Sequence, residues 1–193
     1  MAYGDIINSP HIANSQYKEK NGVETVDRAV VLKDLTTGGG PTLNYLSDTL
    51  NLGQLTAVKA SNRAGLYVGI QGDVCVLPSG QSQPISKAKA TATTTNKLVA
   101  NSKDFNSEGV QVRDIVVNTT DNAAAFVSNI DSTTTLSLVD TANGNLNIMA
   151  TGENFEIYRA VIFKSVQAGT FIPIQVDRVF ALGTTADEII AIY

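Results

Sequence analysis

The chain has 193 residues, 43% of them hydrophobic and 17% charged, enough to bury one or two small cores and too apolar for a disordered tail. Its formal charge of −4 excludes bulk binding to nucleic acid, which needs a basic face to displace counterions from phosphate. No run of about 18 apolar residues is present for a membrane helix, and the start MAYGDIINSP lacks the charged and apolar regions of a signal peptide, so the chain is expected to stay in a cytosol or to assemble there into a particle.

Residues 1–42 read as an arm. The opening is polar and rich in turn residues, with Tyr3, Ile6 and Ile7 as scattered apolar side chains. One apolar cluster follows, Ala29-Val30-Val31-Leu32, bracketed by Asp27-Arg28 and Lys33-Asp34, before the linker Thr36-Thr37-Gly38-Gly39-Gly40-Pro41. Such a segment cannot build a core alone and is stabilised by adding a strand to its own sheet or a neighbour's. The cluster therefore has two readings, a subunit or docking interface together with Tyr3, Ile6 and Ile7, or the first strand of the local core.

From Thr42 to Leu52, Leu43, Leu46 and Leu50 fall at helical spacing behind Pro41, and a short helix is expected, with the alternation at Thr49–Leu52 as the competing strand reading. Strands are predicted at Leu55–Val58, Leu66–Ile70 and Val74–Leu77. Gln71-Gly72-Asp73 reads as the turn that joins the last two in a hairpin.

Residues 86–159 have the character of an insertion. A Thr- and Ala-rich stretch, Lys87 to Thr95, opens it. Strands are predicted at Ile115–Thr119, Ala125–Ile130, Thr135–Val139 and Phe155–Tyr158, with turns at Thr120-Asp121-Asn122, Asp131-Ser132-Thr133 and Asn143-Gly144-Asn145. This is the pattern of a small all-β module facing outward, threaded into a discontinuous core of residues 43–85 and 160–193. Loop closure grows by only about 0.6 kcal/mol per doubling of length, so such an insertion is tolerated.

The end of the chain, Val161 to Tyr193, holds three apolar runs separated by Gln167-Ala168-Gly169-Thr170 and Leu182-Gly183-Thr184-Thr185. Ile172, Ile174 and Val176 alternate with Pro173, Gln175 and Asp177, the two-residue period of a half-buried strand. Pro173 donates no ladder hydrogen bond and places that strand at an edge or a bulge. The final Ile190-Ala191-Ile192-Tyr193 reads as a structural strand, because frayed termini are usually polar. The fold class is therefore all-β, an antiparallel sandwich or barrel-like domain with an inserted β-domain and an extended N-terminal arm.

Ala168-Gly169-Thr170-Phe171-Ile172-Pro173-Ile174, Arg178-Val179, Ala181-Leu182-Gly183-Thr184-Thr185-Ala186 and Ile190-Ala191-Ile192-Tyr193 together resemble the closing segment of a family of small tailed-phage head proteins, which includes head spike base proteins of phages and gene transfer agents. The family's upstream motif is matched by Gly65-Leu66-Tyr67-Val68-Gly69-Ile70-Gln71-Gly72-Asp73-Val74. The resemblance covers roughly residues 60–80 and 160–193. It implies a virion protein on the capsid exterior, with the major capsid protein as partner and a homo-oligomer, a trimer foremost.

The residues offer little for catalysis. His11 is the one histidine and lies in the polar arm, where a surface role is the ordinary explanation. Glu153 with Glu156 and Asp187 with Glu188 are the carboxylate pairs to consider, both explained more simply as solvated turn charges. Gly38-Gly39-Gly40 lacks the Gly-Lys-Ser/Thr of a phosphate loop. Asp121, Asn122 and Asp131 fit Asx turns better than a calcium site. Asn118-Thr119-Thr120 is a glycosylation sequon without a secretory route, and Cys75, alone, reads as a small buried hydrophobe. No catalytic, cofactor or metal residues are assigned.

The sequence therefore predicts a non-enzymatic protein that cements or decorates a phage head by bridging major capsid subunits. The runner-up is the base of a spike or fibre, which would hold a second protein. A glycan-binding adhesin, from a different class, would need stacking platforms from Phe105, Phe126, Phe155 and Tyr158.

Overall fold

The computed structural model describes residues 17–18, 24–25, 29–34, 43–44, 46, 48, 64–140, 144 and 146–192. In chain order its strands are β1 (Tyr17–Lys18), β2 (Glu24–Thr25), β3 (Ala29–Asp34), β4 (Leu43–Asn44), β5 (Ala64–Ile70), β6 (Gly72–Pro78), β7 (Ser86–Lys89), β8 (Ala92–Thr94), β9 (Lys97–Val99), β10 (Ile115–Asn118), β11 (Ala123–Ser132), β12 (Thr135–Val139), β13 (Asn154–Tyr158), β14 (Val161–Val166), β15 (Thr170–Val179) and β16 (Asp187–Ile192). No helix occurs among the described residues. Besides the β1–β2 pair, the strands form two seven-stranded antiparallel sheets, ordered β14-β6-β15-β5-β16-β3-β4 and β7-β13-β10-β11-β12-β9-β8. The protein is all-β, with the two sheets packed against each other.

The first sheet is built on residues 64–78, two strands joined through the single residue Gln71. On one flank β14 pairs Val166 with Gly72, and four residues later β15 pairs Thr170 with Val68, so the register carries across the intervening turn. On the other flank β15 pairs Val179 with Val76, Thr185 and Ala186 donate their amides to the Asp73 carbonyl at 2.9 and 3.0 Å, and β16 pairs Asp187 with Ile70 and Ile192 with Gly65. Val176 pairs with both Ala64 and Pro78, the two ends of the 64–78 stretch, so the sheet curls round on itself.

This arrangement corrects the expected hairpin. β5 and β6 do not pair with each other; β15 lies between them in the sheet order. Gln71-Gly72-Asp73 looks like a turn because Gly and Asp favour turns locally. Here Gly72 is small so that the Ala186 backbone can lie against it, and the Asp73 carboxylate accepts from Lys164 Nζ at 2.7 Å and the Ser165 amide at 2.9 Å. The expected helix at 42–52 is also corrected where the chain is described. Leu43 and Asn44 are strand, paired with Asp34 and Lys33, and neither Leu46 nor Asp48 is helical. The predicted strand at Leu55–Val58 lies outside the described residues.

Pro173 sits inside the register shift between Ile172 and Val176, so the bulge, and not an edge, accommodates its missing donor. The closing strand is a full member of the sheet, with β16 between β5 and β3.

Period-two burial explains how the sheets pack. Leu66, Val68, Val74, Val76, Ile172, Val176, Ile189 and Ala191 turn to the inside of the first sheet and form its core. Residues 86–158 supply the whole second sheet, whose own core includes Leu98, Phe105, Val116, Leu136, Leu138, Phe155 and Ile157. A third cluster joins the two. Cys75, Leu77 and Phe180 of the first unit meet Ile115, Val117, Phe126 and Tyr158 of the second. Arg178, 4% exposed, holds its guanidinium 4.8 Å from the Tyr158 ring and 5.4 Å from the Phe180 ring and donates to the Asp48 carbonyl at 2.9 Å. One buried cation of β15 thus ties the end of the insertion, Phe180 and Asp48 together.

Candidate functional site

Ala29–Leu32, the apolar cluster of the arm, is β3. Its backbone pairs with β16, Ala29 opposite Ile192, Val30 opposite Ala191 and Val31 opposite Ile190. Its backbone is therefore a strand of its own sheet. Tyr3, Ile6 and Ile7 lie outside the described residues, as do His11 and Gly38–Gly40.

The feature of the first sheet that sequence reasoning missed is its outer face. Successive side chains of a strand point to opposite faces, so Leu66 and Val68 buried inward place Gly65, Tyr67 and Gly69 outward. Phe171 stands opposite Tyr67, which stands opposite Ile190; Gly65 stands opposite Ile192. The Phe171 ring lies over Gly65 so closely that a Cβ added there would come within 2.6 Å of its Cζ. Phe171 remains 50% exposed and Ile192 44% exposed. The result is a contiguous apolar patch of aromatic and branched side chains on a rigid sheet, with the Phe171 ring held in place by the absence of a side chain at Gly65. Large exposed apolar side chains grouped in this way mark interaction surfaces. The shared face follows from the register of β5 with β15 and β16, which local alternation in the sequence does not contain.

A second opening lies where the two sheets meet. It is a cleft of about 280 Å³ whose lining includes Val112 and Arg113, Ile162 and Lys164 of β14, and Phe126 and Val139. Lys164 is engaged by Asp73.

The carboxylates considered for catalysis are placed apart or engaged. Glu156 accepts from the Tyr158 hydroxyl at 2.5 Å, whereas Glu153 accepts from the Ala150 amide at 2.6 Å and from Asn118 Nδ2 at 2.8 Å. The Ala150 amide foremost holds the Glu153 carboxyl below its ordinary range, and neighbouring Glu153 pushes Asp121 up. The acidic pair the fold brings together is therefore Asp121 with Glu153. Asp187 is buried and Glu188 exposed, on opposite faces of β16. Asp121 precedes β11 and Asp131 is its next-to-last residue, about 25 Å away at the rise of a strand, and Asp131 is held by Lys97 at 2.6 Å. Asn118 of the sequon is fully buried. Burial pushes the Cys75 thiol up to about 12. Among the described residues no group of three His, Cys, Asp or Glu side chains is arranged to hold a metal ion.

Phe105, Phe126, Phe155 and Tyr158 are each no more than 8% exposed, so the aromatics that a glycan platform would need serve the cores instead. No family model, curated protein or solved structure matches the chain.

Proposed function

We propose that this chain is a structural protein of a tailed-phage head, held on the capsid exterior by the outer face of its C-terminal sheet and bridging major capsid subunits as a cement or decoration protein. The observation that carries the reading is the exposed apolar patch of Tyr67, Phe171 and Ile192, formed by the two segments that resemble the head-protein family. Those segments are 90 or so residues apart in the chain, yet they are neighbouring strands throughout the first sheet. A virion adhesive needs a stiff, apolar surface repeated on many copies, and rigid sheet residues lose little freedom on docking. Repetition around a symmetric oligomer, a trimer in this reading, raises the effective concentration for each further contact.

Head binding tests it. Fully burying a large apolar side chain contributes about 1.5–3 kcal/mol, and Phe171 and Ile192 are each about half exposed, so the pair adds about 1.5–3 kcal/mol on docking. The double substitution Phe171→Asp with Ile192→Asp is therefore expected to weaken sedimentation with purified heads lacking the protein by at least about tenfold. Co-sedimentation at unchanged affinity, with an unchanged circular dichroism spectrum, contradicts the reading.

A further inference from the structure

We propose that the cleft between the sheets is a peptide-docking site, taking a short extended segment of a partner protein that lays an apolar side chain between Val112 and Ile162 and sets a carboxylate against Arg113. The proposal concerns a surface distinct from the Phe171 patch and does not depend on the phage assignment.

Three observations meet at this cleft. The first is its apolar lining. Phe126, Val139 and Ile162 belong to the cluster that joins the sheets, and Val112, at 52%, is the most exposed of the large apolar side chains described. A valine left that open beside a cleft of mixed polar and apolar lining offers an apolar contact to a ligand there.

The second is charge. Three ionisable groups face the cleft in addition to its apolar lining. Lys164 is held by Asp73 at 2.7 Å, and Asp140 accepts from the Gly144 amide at 2.7 Å. Arg113 has no side-chain hydrogen bond or ion pair among the described residues, so of the two cations that line the cleft, Arg113 and Lys164, it is the one not paired to a carboxylate there. Guanidinium matches a carboxylate with two parallel hydrogen bonds. Arg113 is also presented from a fixed backbone. Its φ is 78°, in the left-handed region that a side chain with a Cβ rarely occupies. The Arg113 amide donates to the Val127 carbonyl at 2.8 Å and the Val127 amide to the Asp114 carbonyl at 2.9 Å. Buried Asp114 then takes the Gln111 amide at 2.8 Å and pairs with Arg159 at 3.1 Å. Such local strain, over-determined by its surroundings, belongs to sites that hold a side chain ready.

The third is the neighbouring strand edge. β14 is the terminal strand of its sheet and pairs with β6 alone among the described residues. Beyond Phe163 a register shift and the left-handed Ser165 (φ 50°) disturb the edge, which leaves Val161–Phe163 as the flat stretch. Ile162 is its middle residue and lines the cleft. A short peptide can add to this edge through its backbone while alternate side chains drop into the cleft, with the acidic one reaching Arg113.

Methyl NMR titration of the full chain tests the proposal with three six-residue peptides, acetylated and amidated, whose alternate, cleft-facing positions carry Val and Glu, Val and Lys, or Ser and Glu, with Ser between them (the Val–Glu, Val–Lys and Ser–Glu peptides). Val–Glu is expected to move the methyl resonances of Val112, Val139 and Ile162, to bind at least about tenfold more tightly than either other peptide, and to lose that advantage in Arg113→Gln. Lys164→Gln, whose charge is already taken by Asp73, is expected to change affinity less than about twofold. Equal binding of Val–Glu and Val–Lys, unmoved cleft methyls, or an Arg113→Gln variant with undiminished affinity overturns the proposal.

Discussion

Phe180→Ala probes the joint between the sheets. The phenyl ring is fully buried among Cys75 and Leu77 of the first unit and Ile115, Val117, Phe126 and Tyr158 of the second, and one face of it meets the Arg178 guanidinium at 5.4 Å. Removing a buried phenyl ring leaves a cavity that a close-packed interior only partly refills, at a cost of about 3–5 kcal/mol. With a urea m-value of about 2–3 kcal/mol/M for a chain of this size, the unfolding midpoint is expected to fall by about 1–2.5 M. Wild-type protein, followed by tyrosine fluorescence and by far-ultraviolet circular dichroism, is expected to unfold in one coincident transition, because neither sheet can lose the shared cluster without exposing the other's. Two separated wild-type transitions, or a Phe180→Ala shift worth less than about 1 kcal/mol, would refute a common core between the sheets.

Gly72→Ala is expected to cost at the upper end of about 1–3 kcal/mol in chemical denaturation, since the added Cβ presses on the Ala186 nitrogen and Cα, backbone atoms that cannot rotate away. Asp73 and Asp131 sit below the ordinary carboxylate range, chiefly through hydrogen bonds from Lys164 and Lys97, so their stabilisation is complete above the unfolded value of 3.8 and is lost as the pH falls through the lower folded values. Melting temperatures measured from roughly pH 5 to pH 2 should drop, and drop less steeply in Asp73→Asn, where one of these groups no longer titrates. Cys75, fully buried with its thiol pushed up to about 12, is expected to resist alkylation by iodoacetamide at pH 8 until denaturant is added, as read by mass spectrometry; rapid labelling of the native protein contradicts the packing of the joint.

The strand positions were legible because their signal is local. Ile115–Asn118, Thr135–Val139 and Asn154–Tyr158 are short β-branched or aromatic runs between turn residues, and the alternation of Ile172, Ile174 and Val176 states which side turns inward. What the local signal does not contain is the partner. Gly72 and Asp73 look like a turn until Ala186 and Lys164, both about a hundred residues further on, use them for close packing and an ion pair. The leucine spacing at 43–50 suggested a helix, but Leu43 and Asn44 gain ladder bonds to Asp34 and Lys33 that propensity cannot weigh. The apolar patch was half readable. Phe171 and Tyr67 fall on outward positions of their strands, and only the assembled sheet reveals Ile192 beside them and Gly65 beneath. Arg178 carried no legible role, because its partners Tyr158, Phe180 and Asp48 come from three separate parts of the chain.

The most direct measurement of the proposed role is an electron cryomicroscopy reconstruction of tailed-phage heads assembled in the presence of this protein, at a resolution that distinguishes its two sheets. The account predicts density on the head in which Tyr67, Phe171 and Ile192 face the shell across a boundary between capsid subunits. Heads without that density, or a protein seated with this face turned to solvent, contradict it.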